Sequence, residues 1–163
     1  MKRDVLSCEK LQPMFNPGAY TGKWYQIARI PQPFEQGCMK ATAEYEIVDE
    51  STVSVLNICY TENYTPIREA RGTAKIIYPN YPAALYVSFP NFPIYDNSKL
   101  SNRLVPNYLV HRTDYCKYSV VGSPDRKSLW ILSRTPEMDP VLYSRLICFA
   151  ASLGYNTKQV VKN

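Results

Sequence analysis

Few residues in this sequence combine the types and spacing that catalysis or metal binding requires. The chain has 163 residues, with a single histidine, His111, and five cysteines, and no two cysteines are spaced as CxxC. Zinc sites use about four Cys or His ligands, so we expect no metal. No motif places a nucleophile and an orienting acid beside His111, so we also expect no enzymatic activity and no cofactor. A hydrogen-bonded interior histidine is the favoured interpretation, and a ligand contact is the alternative.

The composition favours a folded chain rich in β-strands and turns. Hydrophobic residues make up 45% and charged residues 20%, and there are 14 Tyr and 13 Pro. Tyrosine suits half-buried pleated strands, and proline marks turns. The net charge of +5 comes from scattered Lys and Arg without a basic run, so we expect no nucleic-acid partner.

Strand-like segments separated by turn residues recur roughly every 8–12 residues, a rhythm typical of a β-sandwich or barrel. The eight predicted strands cover residues 20–30, 41–48, 52–60, 69–78, 83–89, 107–112, 116–122 and 128–134. A helix is predicted at about 139–153, because Asp139 suits the N-cap, Pro140 the first turn and Gly154 the end. Residues after Tyr155 could add a short strand. We expect 1–163 to form a single domain, with the barrel at about 20–134.

The segment Gly22-Lys23-Trp24-Tyr25 begins the first strand. An inward tryptophan there would plug the end of a barrel, and Gly22 would let the chain pass beneath it; the alternative is an ordinary core tryptophan. The turn between strands six and seven and the end of strand eight lie at the same end of an up-and-down barrel, where Arg134 could stack on the indole. The predicted residues of this closed end are Gly22, Trp24, Thr113, Asp114, Tyr115 and Arg134.

Seven stretches carry a family resemblance, in family order over nearly the whole chain: 20–31 (YTGKWYQIARIP), 34–37 (FEQG), 43–45 (AEY), 53–57 (VSVLN), 72–74 (GTA), 113–115 (TDY) and 129–136 (LWILSRTP). With them the chain resembles the lipocalins, especially the branch of bacterial outer-membrane lipocalin, temperature-induced lipocalins and apolipoprotein D. The resemblance implies an all-β fold, an eight-stranded antiparallel up-and-down β-barrel with one C-terminal α-helix. It also implies binding of fatty acids, lysophospholipids, sterols or related lipids.

Two features depart from the family pattern. Gln26 stands where this branch usually has a glutamate, so a role for that carboxylate in the pocket does not carry over. Segment 92–106 looks longer than its family counterpart, so the shape of the entrance and the size of the ligand do not carry over either. Long loops in compact domains are usually functional or mobile.

The cysteines allow one disulfide. Cys38 and Cys59 flank a predicted hairpin centred near residues 49–50, which places them almost opposite each other. However, Cys38 lies on the opposite phase of alternation from the inward residues of the second strand, so the bridge would need a bulge or an irregular loop. The odd count leaves at least one cysteine outside any internal pair. Cys8, Cys116 and Cys148 have no assignable partner, and Cys148 is interpreted as a small buried hydrophobe.

Strand alternation assigns the side chains that point into the barrel, although a slip of one residue would exchange the two faces. The predicted cavity residues are Ala28, Ala43, Tyr45, Val55, Asn57, Ala74, Leu85, Val87, Phe89, Leu109 and His111. Small residues on the inner face of the fourth strand would leave room for a ligand. The predicted entrance cations, which could meet an anionic head group, are Lys99, Arg103, Arg126 and Lys127.

We therefore expect the chain to bind, and to transport or store, a small hydrophobic ligand, above all a fatty acid or lysophospholipid. The alternatives are an interaction module that uses loop 90–106 and, less favoured, a lipid-modifying enzyme. Residues 1–8 begin with basic residues but lack the apolar region of a signal peptide. The resemblance favours an extracytoplasmic location, and a cytoplasmic one stays open. Peripheral membrane association and a monomer or weak homodimer are also expected.

Overall fold

The computed structural model describes residues 15–90 and 105–163. The strands in these ranges are β1 (Gly22–Arg29), β2 (Lys40–Asp49), β3 (Thr52–Tyr60), β4 (Pro66–Ile76), β5 (Ala84–Ser88), β6 (Tyr108–Thr113), β7 (Tyr118–Gly122), β8 (Leu129–Ser133) and β9 (Val161–Lys162). The helices are α1 (Pro17–Tyr20) and α2 (Pro140–Ser152), and short 3-10 turns cover Pro33–Glu35 and Thr157–Gln159.

Strands β1 to β8 form a closed antiparallel barrel. Each strand pairs with the next along the chain, and β1 also pairs with β8. The first half of β1 pairs with β2, whereas Ala28 and Arg29 near its end pair with the short β9. Closure removes the free sheet edges that could otherwise pair with another chain. The predicted eight-stranded antiparallel barrel with a helix after it is confirmed.

A bulge in β1, between Gln26 and Ala28, separates two cores. Before the bulge, Trp24 packs in the core inside the barrel and is fully buried. After it, Ala28 packs with Ile27 in a second core between the barrel and α2. A bulge inserts one extra residue into the strand, so the alternation of inward and outward side chains shifts by one.

Helix α2 covers one side of the barrel. The Asp139 side chain accepts a hydrogen bond from the backbone N–H of Leu142 at 3.0 Å, which caps the helix start. Gly154 follows the end with a φ of +98°, a conformation that favours glycine. Leu146 and Ala150, one turn apart, are buried against the barrel. Within the described ranges, no helix is both long enough and apolar enough to span a membrane.

Candidate functional site

Trp24 and Arg134 close one end of the barrel. The Trp24 Nε1 donates to the carbonyl of Tyr20 at 2.9 Å, and the Arg134 guanidinium lies 3.8 Å from the centre of the Trp24 ring. This guanidinium also donates to three carbonyls, those of Ala19 (3.2 Å), Lys23 (3.1 Å) and Tyr115 (2.9 Å). Gly22 has a φ of +96°, and a Cβ there would lie 3.3 Å from Arg134 Nη1. The closed end is therefore built around one arginine that joins α1, β1 and the β6–β7 turn.

Thr113, Asp114 and Tyr115 form the β6–β7 turn at this end. Asp114 Oδ1 accepts hydrogen bonds from three backbone N–H groups, those of Cys116 (3.1 Å), Lys117 (2.7 Å) and Tyr118 (2.9 Å). Thr113 Oγ1 accepts from the Tyr115 N–H at 3.0 Å. Tyr115 has a φ of +64°, which is unusual for a residue with a side chain, and these bonds hold it there. The structure thus brings all six predicted closed-end residues together.

A cavity of about 170 Å³ lies inside the barrel and extends towards the other end. Six of the predicted cavity residues lie on its wall: Ala43, Tyr45, Val55, Asn57, Val87 and Phe89. Ala43 is opposite Asn57, and Tyr45 is opposite Val55, in the β2–β3 hairpin. Residues paired across two strands share a face of the sheet. In this hairpin, the side chains that the sequence predicts to face inward therefore do so together.

Two predicted cavity residues, Ala74 and Leu85, are buried in the inner core but do not belong to the cavity wall. For Ala28, Leu109 and His111 the prediction of a cavity position is wrong. The β1 bulge turns Ala28 outward. The neighbours of Leu109 on both sides, residues 108 and 110, face the cavity or the inner core, so Leu109 points outward.

His111 also faces outward, towards the segment that follows α2. Its Nε2 lies 2.7 Å from the hydroxyl of Tyr155, which donates to the carbonyl of Ser123 at 3.0 Å. Burial, together with the positive charge of Arg126, lowers the pKa of His111 to about 4. At neutral pH the imidazole is uncharged, and because the hydroxyl hydrogen of Tyr155 goes to Ser123, the Nε2–H of His111 donates to the Tyr155 oxygen. His111 is a hydrogen-bonded histidine that fixes the C-terminal segment to the barrel.

The predicted entrance cations have other positions. Arg126 Nε donates to the carbonyl of Leu153 at 2.9 Å, and the guanidinium lies 5.0 Å from the Tyr155 ring. The negative end of the α2 dipole thus holds Arg126 away from the cavity wall, which makes its assignment to the entrance wrong. Lys127 is exposed and is not part of the wall. Lys99 and Arg103 lie outside the described residues.

Arg68 is a charged wall residue that the sequence analysis missed. It lies on β4 and donates to the carbonyl of Gln36 at 2.6 Å and to the Cys38 sulfur at 3.3 Å. Arg68 is in phase with Ala70, which also lines the cavity, so extending the alternation of this strand by two residues would have found it.

Glu35 is a second missed wall residue, and it is almost completely buried (8% exposed). Its Oε2 lies 3.9 Å from Arg29 Nε, and Trp130 Nε1 is 3.4 Å from each carboxyl oxygen. Burial raises the pKa of Glu35 to about 7, although Arg29 and hydrogen bonds from Trp130 and Gln26 oppose the rise. The amide of Gln26 can donate to this carboxyl group, whereas a carboxylate at position 26 would repel it.

A row of buried hydroxyl groups runs from the cavity into the barrel. The hydroxyls of Tyr45 and Tyr108, both on the wall, are 2.7 Å apart. The Tyr108 hydroxyl is 3.5 Å from that of Tyr20, which is 2.7 Å from Ser119 Oγ. Burial raises the pKa of Tyr20 to about 12 and those of Tyr45 and Tyr108 well above their ordinary value. These phenols therefore stay protonated and neutral at physiological pH.

The small residues of β4 do not all leave space for a ligand. A Cβ at Gly72 would clash with the carbonyl oxygen of Ser88 and would lie 2.6 Å from the Phe89 ring. Gly72 therefore admits the Phe89 side chain to the barrel interior. The cavity is thus partly filled where the sequence predicts room.

The predicted disulfide between Cys38 and Cys59 is confirmed, with a Cα–Cα distance of 5.3 Å. Cys38 precedes β2 and follows Gly37, whose φ is +85°, so it lies in the irregular loop that the strand phase requires. Cys116 and Cys148 are exposed and are not disulfide-bonded. The prediction that Cys148 is buried is wrong, because α2 buries residues two positions away on each side. Cys8 lies outside the described residues.

Comparisons with known proteins agree with this architecture. A family model described as a lipocalin-like domain matches residues 16–163. The outer membrane lipoprotein Blc of Vibrio cholerae is 32% identical over 157 residues, which cover 94% of this chain and 85% of that protein. Temperature-induced lipocalin-1 of Arabidopsis thaliana is 30% identical over 149 residues, covering 90% and 77%.

The structure of lobster apocrustacyanin A1 superposes with a TM-score of 0.66 at 18% identity, covering 99% of this chain and 84% of that one. This likeness shows the fold alone, whereas the family model and the sequence relatives extend over most of the chain. The match to this family model supports binding of small hydrophobic ligands, which agrees with the cavity inside the barrel. The chain therefore belongs to the lipocalin family.

Proposed function

We propose that this protein binds a single-chain lipid, a fatty acid or a lysophospholipid, in its barrel cavity and carries or stores it. The observation that carries the proposal is a cavity whose wall is largely apolar, with Ala43, Val55, Val87 and Leu132. The charged residues on the wall, Glu35, Arg68 and Glu69, lie at the end with the disulfide. Removing an acyl chain from water contributes roughly 0.8 kcal/mol per buried methylene.

The cavity volume supports one slender chain over a bulky ligand. At about 170 Å³, it is close to the ~150 Å³ cavity that accepts benzene and below the ~300–1,000 Å³ typical of drug-sized ligands. A segment of one acyl chain suits such a space, and the rest of the ligand would lie towards the entrance.

Arg68 supports an anionic head group at the entrance, since its guanidinium lies on the wall beside the disulfide. A carboxylate or phosphate can accept hydrogen bonds from a guanidinium in a fork. Lys127 is an exposed residue of the loop after β7. A position of Lys99 and Arg103 at the entrance stays a prediction.

We propose a carrier and not an enzyme. The cysteine that could have supplied a nucleophile near the cavity, Cys59, is bound to Cys38 and has no thiol to donate. The name of the Vibrio cholerae relative, an outer membrane lipoprotein, supports an extracytoplasmic location and contact with a membrane surface for this chain. A monomer or weak homodimer stays a prediction.

Native mass spectrometry of the purified protein, followed by lipid extraction, tests the proposal. We expect a bound single-chain lipid, or uptake of added oleate or lysophosphatidylcholine at micromolar concentration. Ala43→Trp fills the cavity and should weaken uptake at least tenfold, whereas Glu46→Trp, on the exposed face of the same strand, should not. Absence of bound lipid and of uptake in the wild-type protein would contradict the proposal.

A further inference from the structure

The hydroxyl row of Tyr45, Tyr108, Tyr20 and Ser119 carries an inference about how a ligand is oriented. Each of the four hydroxyls has one hydrogen to donate. The row contains three hydroxyl contacts, so three hydrogens find an acceptor within it and one does not. Tyr45, Tyr20 and Ser119 are 6%, 4% and 0% exposed, so bulk solvent supplies no acceptor to these three, and Tyr108, which is half-buried, lies on the cavity wall.

The remaining hydrogen can be at either end of the row. At the inner end it would belong to Ser119, which among the described residues has no further hydrogen-bond acceptor and no exposed surface. A buried donor without an acceptor costs about 1–3 kcal/mol. If the bonds run the other way, the hydrogen belongs to Tyr45 or Tyr108 and faces the cavity, where a ligand atom can accept it.

This second arrangement keeps all three contacts. The Tyr108 oxygen has two lone pairs and can accept from Tyr20 at 3.5 Å and from Tyr45 at 2.7 Å at the same time. With Ser119 donating to Tyr20 at 2.7 Å, the hydrogen of Tyr108 is then the one that faces the cavity.

We propose that the deep end of the cavity is a hydrogen-bonding subsite for an uncharged oxygen, such as that of a ketone, an ester or an alcohol, at the buried end of the ligand. The subsite deepens the proposed function and rests on it. The donors are neutral phenols, and burying an unpaired carboxylate among apolar side chains is costly. The charged end of a ligand therefore belongs at the entrance, beside Arg68, and the oxygenated end belongs beside Tyr45 and Tyr108.

A pair of isosteric probes tests the subsite: 2-decanone, and 2-methyl-1-decene, in which CH2 replaces the ketone oxygen. Binding of both is measured directly by isothermal titration calorimetry, and the result is expressed as the ratio of their dissociation constants. We expect the preference for the ketone to fall about tenfold in Tyr45→Phe/Tyr108→Phe, with a smaller fall in each single variant. The alkene should bind equally to the wild type and the variants.

Two control variants make the test specific. Tyr86→Phe removes a hydroxyl from the outer face of β5, between residues that face inward, and should leave the ratio unchanged. Ser119→Ala shortens the row at its inner end and should keep the ketone preference. If the wild type binds the alkene but the ratio is the same in the double variant, the subsite is wrong and the proposed function stands. If the wild type binds neither probe, both are wrong.

Discussion

Replacing Arg134 by alanine tests the structure of the closed end. The substitution removes three hydrogen bonds to backbone carbonyls, of 2.9, 3.1 and 3.2 Å, and the stacking of the guanidinium on Trp24 at 3.8 Å. The carbonyls belong to three separate segments, so their loss should loosen α1, β1 and the β6–β7 turn together.

The expected loss of stability follows from these contacts. A hydrogen bond that involves a charged group contributes about 1.5–3 kcal/mol, and a cation–π contact about 0.5–2 kcal/mol. Two of the three bonds are solvent-exposed, so water replaces much of what they contribute. We therefore expect Arg134→Ala to lower the free energy of unfolding by about 3–4 kcal/mol, a large share of the ~5–15 kcal/mol of a typical domain.

Urea unfolding followed by far-ultraviolet circular dichroism measures this loss without depending on Trp24 fluorescence. Arg134→Lys keeps the charge but not the planar fork, so about half of the loss should remain. Arg145→Ala, an exposed position on α2, is the matched control and should change stability by less than about 0.5 kcal/mol. A loss below about 1 kcal/mol in Arg134→Ala would refute the assignment of Arg134 as the centre of the closed end.

Three further predictions concern the cavity and its entrance. Folded Glu35 keeps its proton up to a pKa of about 7, against 4.5 when unfolded, so this group should lower the free energy of unfolding by roughly 2–3 kcal/mol as the pH rises from 5 to 8. In Glu35→Gln, the free energy of unfolding measured in urea should not show this decrease between pH 5 and pH 8. A decrease as large as in the wild type would show that Glu35 does not titrate in this range. Gly72→Ala should cost about 1–3 kcal/mol, because its Cβ meets the Ser88 carbonyl, and unaltered thermal unfolding would contradict this close approach. Replacing Cys38 and Cys59 together by alanine should lower the free energy of unfolding by about 3 kcal/mol, because the disulfide closes a loop with a separation of 21 residues. Equal urea midpoints for the wild type and the double variant would be evidence against a stabilising bridge.

Several features follow from the sequence because they are local. A short turn joins β2 to β3, and the polar and apolar residues of this hairpin alternate, so the pattern alone predicts that Ala43, Tyr45, Val55 and Asn57 lie on the inner face. The ends of α2 were also predictable, since Asp139 acts on the first turn of its own helix. The closed end was found because an up-and-down barrel places every second turn at the same end.

Other features depend on contacts between distant segments. No periodicity in β1 shows the bulge that turns Ala28 towards α2, because one extra residue reverses the face of everything after it. Three consecutive apolar residues in β6 leave its phase undefined, so only pairing with β7 decided that Leu109 and His111 point outward.

The sequence by itself thus determined the family, the closed end and six residues of the cavity wall, through spacing and alternation. Only the tertiary structure decided where the charged and hydroxyl groups lie. Arg126 is held by the end of α2, while Arg68 and Glu35 reach the cavity wall and Tyr20 joins the row of Tyr45 and Tyr108. The physical reason is that barrel closure brings together residues far apart in the chain, and these polar groups take the partners that closure places within reach.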